Sequence, residues 1–166
     1  MWARFRPHAR VASVAEITPG FLRERGLSAL VLDLDNTLAP WNGLEAAPGV
    51  AEWLASLQAA GVALVVLSNN SPRRVETFAR RWGLVALPRA GKPRRQAFHR
   101  ALAVLGSEVA CTAVVGDRLL MDVWGGRRAG LYTVLVEPVD RRELWATRLV
   151  RRLEEAVDRR LGAAGT

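Results

Sequence analysis

Short apolar, β-branched runs alternate with longer amphipathic stretches along this chain, and that alternation limits its fold more than any other feature. Residues 29–33, 62–67, 112–115 and 132–136 read as buried strands, and 84–87 as a weaker one. Between them, residues 50–60, 72–82, 93–105 and roughly 120–129 carry helical patterns. Each helix is followed by a glycine (Gly61, Gly83, Gly106, Gly130), where a left-handed C-terminal cap is expected. Ser71-Pro72 predicts a helix start, with the serine capping and the proline in the first turn. Strands alternating with helices of this length predict βαβ units: an α/β fold with a parallel sheet covered on both faces. The 166 residues contain no linker, repeat or low-complexity tract, so one domain is expected over 1–166. Its core is expected over about 27–137, with a basic amphipathic helix over 138–166.

Sheets of this kind place their chemistry at the carboxyl ends of the strands, near the point where strand order reverses. The unusual polar residues fall there. Asp33 and Asp35 follow the first strand, Ser68-Asn69-Asn70 the second, and Gly116-Asp117 the strand over 112–115. Lys92 sits in the loop before Pro93, at the mouth of a predicted helix. Composition sharpens the pattern. Of six aspartates, four lie in the two segments 33–37 and 116–122, and Lys92 is the single lysine beside 23 arginines. Asp33 and Asp35 are two apart, so in extended backbone their carboxylates share a face and repel unless a cation or proton lies between them. Adding Asp117 makes three hard oxygen donors, a set that suits Mg2+. The lone Cys111 and the distant His8 and His99 argue against zinc. Beside such a metal, Lys92 would offer a phosphoryl group a compact positive charge, Ser68 a hydroxyl and Asn69 further donors.

The strings LDLDNTLAPWN, LSNNSP, GKP and VVGDRLLMDVWGGRRAGLYTVLV resemble, in order, the four motifs of the haloacid dehalogenase superfamily. With ITPGFLRERGLSALVLDLDNT before them, they look like its YqeG-type family of small phosphatases, a resemblance spanning roughly residues 8–155. It implies a Rossmann-like three-layer sandwich and a two-step hydrolysis of phosphomonoesters. Asp33 would be the nucleophile that forms an aspartyl-phosphate, and Asp35 the acid and then the base. It further implies Mg2+ held by the side chains of Asp33 and Asp117 and by the main-chain carbonyl of Asp35. Ser68 and Lys92 would hold phosphoryl oxygens, with Asn69, Asn36 and Thr37 as further substrate-binding candidates. Asp122 would orient Lys92 or a water of the metal. Asn36 and Asn70 also read simply as turn residues. Arg118, Arg127 and Met121 depart from the residues expected in relatives, which bears on substrate choice.

Many members of the superfamily insert a cap domain after the first motif or before the lysine. Residues 37–62 and 87–92 leave no room for one. An open site suits a bulky substrate: a phospholipid headgroup, a phosphoprotein or a nucleic-acid end. The YqeG-type family is similar to phosphatidylglycerophosphate phosphatases, so that lipid is the expected substrate. A net charge of +8 favours an acidic partner. Trp145, Leu149, Leu153, Val157 and Leu161 form a stripe flanked by arginines, which reads as a helix on the sheet or as one resting on anionic lipid. Nucleic-acid binding or an assembly role on the same fold is the competing reading, weakened because the basic residues alternate with glutamates instead of forming a clean stripe. Of the tryptophans, only Trp41 is near enough to the first motif to line the site, and Arg73, Arg74, Arg94 and Arg95 read as solvated helix-start charges. No apolar run reaches a membrane span and no signal peptide is evident, so a cytoplasmic protein is expected, with peripheral contact at the inner membrane face.

Overall fold

The computed structural model describes residues 5–41 and 43–140. Among the described residues six strands form one sheet: β1 (Ala9–Val11), β2 (Ala29–Leu32), β3 (Ala63–Leu67), β4 (Val85–Leu87), β5 (Thr112–Gly116) and β6 (Tyr132–Val136). Their order is β1-β6-β5-β2-β3-β4, and every neighbouring pair is parallel. The helices are α1 (Pro19–Arg23), α2 (Val50–Ala59), α3 (Pro72–Arg81), α4 (Arg95–Leu105) and the short α5 (Gly125–Arg128).

Burial explains the arrangement. All four residues of β2 are buried, because the strand is paired on both sides and covered on both faces. Its side chains alternate between two cores. Leu30 and Leu32 join Val66 and Val115 against Leu22 of α1, Trp53, Leu54 and Leu57 of α2, and Val75 and Phe78 of α3. Val31 joins Val65, Leu67 and Val114 against Ala97, Phe98, Ala101 and Leu102 of α4. This is a Rossmann-like three-layer α/β architecture. The expected glycines after the helices all take positive φ, from 59° at Gly106 to 85° at Gly130.

Four local features differ from the sequence reading. The edge strand β1 and helix α1 lie in a segment where no element was expected. Helix α4 begins at Arg95 and not at Pro93, so Lys92 stands in the turn that precedes it. Ser71 occupies the N-cap of α3, but its hydroxyl makes no capping bond; Asn70 Oδ1 instead accepts from the Ser71 N–H at 2.7 Å. The stretch read as one helix over 120–129 is a π-helical turn, Leu119–Trp124, running into α5. The amphipathic tail over 141–166 lies outside the described residues. Among the described residues no helix is long and apolar enough to cross a membrane.

From β2 the chain winds outward through β3 and β4, then returns to β5 on the other side of β2 and continues to β6. The strand order therefore reverses between β2 and β5, and a crevice opens at their carboxyl ends. Leu32 pairs with Val115, so Asp33 and Asp117 emerge beside each other at that point.

Candidate active site

Asp33 continues the ladder of β2, its N–H donating to the Val115 carbonyl at 2.9 Å. The chain then turns sharply. The Leu34 carbonyl accepts from the N–H groups of Thr37, Leu38 and Ala39, while Leu34 and Leu38 are both fully buried. Asn36 takes the left-handed conformation, with φ 61°, which asparagine tolerates better than most residues. Two leucines anchored in the core thus aim Asp33 and Asp35 at the crevice. Asn36 Oδ1 accepts from the Trp41 N–H at 3.3 Å, and Thr37 Oγ1 donates to Asp33 Oδ2 at 3.3 Å. Both are buried, and both brace the turn from behind without lining the cavity.

That cavity has a volume of about 310 Å³ and is lined by Asp33, Asp35, Trp41, Ser68, Asn69, Asn70, Lys92, Arg118 and Met121. Lys92 is its hub, 7% exposed. Its Nζ donates to Asp33 Oδ1 at 2.5 Å and to Asp122 Oδ1 at 2.7 Å. Asn69 clamps the backbone of the lysine: Oδ1 accepts from the Lys92 N–H at 2.8 Å and Nδ2 donates to its carbonyl at 3.0 Å. The Asn69 amide is therefore engaged in placing Lys92. Asp122 comes from the π-helical turn, and its Oδ2 accepts from the Arg118 N–H at 3.2 Å. Gly116 makes this approach feasible, since a Cβ there would stand 2.3 Å from the Asp122 carboxyl carbon.

Asp35 sits in a separate ring of donors. Arg74 Nε and Nη2 both reach Oδ1, at 2.8 and 2.7 Å, while Ser68 Oγ and Asn70 Nδ2 donate to Oδ2 at 3.3 and 3.2 Å. The guanidinium also donates to the carbonyls of Gly43 and Pro40, stitching the loop after β2 to α3. Arg74 is thus 8% exposed and ion-paired, which corrects its reading as a solvated charge. The reason is positional: with Pro72 opening α3 just past the end of β3, the first helical turn lies on the same sheet edge as Asp35. Asn70, read as a turn residue, is likewise drawn into that ring.

Crowding of like charge dominates the electrostatics. Burial pushes the Asp33 carboxyl up to about 6, with Lys92 pulling against it and Asp122 and Asp35 adding to it. Asp117 is pushed up to about 8, first by burial and then by the charges of Asp33 and Asp122. Burial by itself would lower Lys92, but the charges of Asp122 and Asp33 reverse the effect and hold its ammonium above the ordinary lysine range. Asp117 borders a neighbouring cleft of about 400 Å³ over the ends of β1 and β6. Asp33, Asp117 and Asp122 each bring a carboxylate oxygen within 4.8 Å of the others. Asp117 Oδ1 is buried with no hydrogen-bond partner among the described residues, a costly state that a cation would relieve. All three donors are hard oxygens, two at the strand ends and one from the π-helical turn, and the set fits a divalent metal ion.

Comparisons with known proteins give the family and the fold. A model of the haloacid dehalogenase-like hydrolases matches residues 14–130. The Probable phosphatase YqeG of Bacillus subtilis (strain 168) is 37% identical over 153 residues, covering 92% of this chain and 89% of that one. The chloroplastic Phosphatidylglycerophosphate phosphatase 1 of Chlamydomonas reinhardtii is 31% identical over 159 residues, 90% of this chain and 59% of that protein. Among solved structures, the 3-deoxy-D-manno-octulosonate 8-phosphate phosphatase of Moraxella catarrhalis, in complex with a magnesium ion, a phosphate ion and a KDO molecule, superposes with a TM-score of 0.53 at 21% identity. It covers 69% of this chain and 71% of that one, a likeness of fold. The family match takes in β2 and β5, whose ends bring Asp33 and Asp117 together, and on that ground the chain belongs to the haloacid dehalogenase-like hydrolases.

Proposed function

We propose that the protein is a Mg2+-dependent phosphomonoesterase working through an aspartyl-phosphate on Asp33, with phosphatidylglycerophosphate as its foremost substrate. The observation that carries the chemistry is the buried chain Asp33–Lys92–Asp122 beside the unpartnered oxygen of Asp117. Asp33 and Asp117 would hold the cation, which when bound supplies positive charge to the phosphoryl oxygens and favours ionised carboxylates around it. An Asp33 oxygen attacks phosphorus, the bond to the leaving oxygen breaks, and Asp35 passes its proton to the departing alkoxide. Asp35 then takes a proton from water as that oxygen attacks the aspartyl-phosphate, returning Asp33 and releasing inorganic phosphate. Arg74 fixes Asp35 through Oδ1, so Oδ2, held by two bonds of 3.2–3.3 Å, is the oxygen that exchanges the proton. Lys92 and the Ser68 hydroxyl bind the phosphoryl oxygens, the hydroxyl turning to them from Asp35 Oδ2 and so leaving that oxygen room for the proton.

The lipid substrate is supported by the identity to a phosphatidylglycerophosphate phosphatase and by the short connections on either side of the site. Only residues 33–49 join β2 to α2, and 88–94 join β4 to α4, so the domain is read as capless and its site as open. The net charge of +8 supports peripheral contact with an anionic bilayer. Purified protein with Mg2+ is expected to release phosphate from phosphatidylglycerophosphate vesicles. Asp33→Asn should reduce turnover by about 10⁴-fold or more while the fold is kept, because an amide is not a competent nucleophile. Phosphate release from soluble esters but none from the vesicles would reject the lipid, and turnover that survives Asp33→Asn would reject the mechanism.

A further inference from the structure

Arg118 is a cationic side chain at the cavity that forms no ion pair among the described residues, although its charge reaches the Asp117 carboxyl and pulls it down against burial and the neighbouring acids. Its guanidinium lies over the Trp41 ring, with Cζ 4.9 Å from the ring centroid, and both residues line the cavity that holds Asp33 and Lys92. Two cations beside it are committed: Lys92 to Asp33 and Asp122, and Arg74 to Asp35 and two loop carbonyls. Arg118 has no carboxylate within salt-bridge distance among the described residues, and its tie to the site is made by its backbone N–H, which donates to Asp122. Its side chain is half-buried, so a ligand can reach it. An arginine held over an aromatic face keeps N–H groups available for a planar or tetrahedral anion, and the contact reduces the entropy lost on binding one. Trp41 comes from the loop after β2 and Arg118 from the end of β5, so the pair spans the crevice in which the ester must lie.

Building on the phosphatase reading above, we propose that Arg118, propped by Trp41, binds a second anionic group carried by the leaving alcohol. The enzyme then prefers phosphomonoesters whose alcohol bears its own negative charge, a phosphodiester or a carboxylate, over those of neutral alcohols. Lys92 and Ser68 serve the phosphoryl group that is transferred, and Arg118 reads what is attached to it.

The test compares three soluble esters: glycerol 3-phosphate, 3-phosphoglycerate and deacylated phosphatidylglycerophosphate. Wild type with Mg2+ is expected to favour at least one of the two anionic esters over glycerol 3-phosphate by about tenfold in kcat/KM, the scale of one charge-assisted hydrogen-bond pair. Preference for 3-phosphoglycerate assigns a carboxylate, and preference for the deacylated lipid a phosphodiester. Arg118→Gln should shrink that ratio by about tenfold, chiefly through KM, Arg118→Lys by less, and Trp41→Leu should shift it in the same direction. Inhibition by the anionic product alcohol should weaken in parallel. A ratio left unchanged by Arg118→Gln overturns the proposal, as does an equal loss on all three esters, which would place Arg118 on the transferred phosphoryl group. Failure of wild type to hydrolyse any of these esters or phosphatidylglycerophosphate vesicles would instead overturn the phosphatase reading.

Discussion

Arg74 is one of 23 arginines, and nothing in its own sequence neighbourhood separates it from Arg73 beside it. What separates them is the helical direction each faces from the first turn of α3. Arg73 is exposed, whereas Arg74 is turned onto Asp35 and spans to the carbonyls of Pro40 and Gly43. Its partner is buried as well, so removing the guanidinium would strand a carboxylate and two carbonyl groups. Arg74→Ala should therefore cost about 3–5 kcal/mol of stability, the usual penalty for breaking a buried pair from one side. Arg74→Lys should recover part of it, since an ammonium neutralises Asp35 without reaching all three acceptors. Urea denaturation of the three proteins checks this, and a loss near zero for the alanine variant would mean that Asp35 finds other partners.

Elements were legible where burial on both faces wrote itself into the sequence. β2, β3, β5 and β6 are continuous apolar runs because they are inner strands, and the helices between them end at glycines that adopt left-handed conformations. The edge strand β1 has three residues, none fully buried, and so leaves no periodic trace. The segment 119–128 misled for a different reason. Its apolar spacing suits an α-helix, but the turn is widened to π geometry where it carries Asp122, and α5 then packs too closely for ordinary side chains. Asp33, Asp35 and Asp117 were legible by their position after strands, and Lys92 as the single lysine, set before a predicted helix. Arg74 was not, because its role depends on a contact 39 residues away in sequence. A Cβ on Gly125 would stand 2.7 Å from the Phe98 ring of α4 and 3.1 Å from the backbone of Pro93, the residue after Lys92. Gly125→Ala should then cost about 1–3 kcal/mol by overpacking, and phosphatase activity should fall with it as Lys92 shifts. Chemical denaturation alongside the kinetics tests both; a variant of wild-type stability would show that α4 and α5 can part without cost.

At the scale of the molecule, the acidic cluster sits at the ends of the two central strands, β2 and β5, so its charge state acts on the stability of the whole sheet. The sign follows from the direction of the shifts. Asp33 and Asp117 are raised from an ordinary value of 3.8 to about 6 and about 8. A carboxyl raised on folding favours the native state most fully below its unfolded value, and that contribution is lost as pH rises through the folded value. Without metal, the thermal midpoint contributed by this cluster should fall between about pH 4 and pH 8. Lys92 is also raised, but it stays protonated throughout this window and adds no slope. A divalent cation binds the ionised carboxylates, so its stabilising effect should grow with pH up to about 8, and its binding at pH 7 should release protons. Asp117→Asn removes the group with the higher value. It should flatten the metal-free profile between about pH 6 and pH 8, raise the midpoint there, and weaken the response to Mg2+. Thermal melts from pH 5 to pH 9 in chelator and in Mg2+, with calorimetry in two buffers to count protons, would show this. If the Asp117→Asn profile in chelator ran parallel to wild type, the unpartnered oxygen of Asp117 would not be where the molecule stores the cost that a metal relieves.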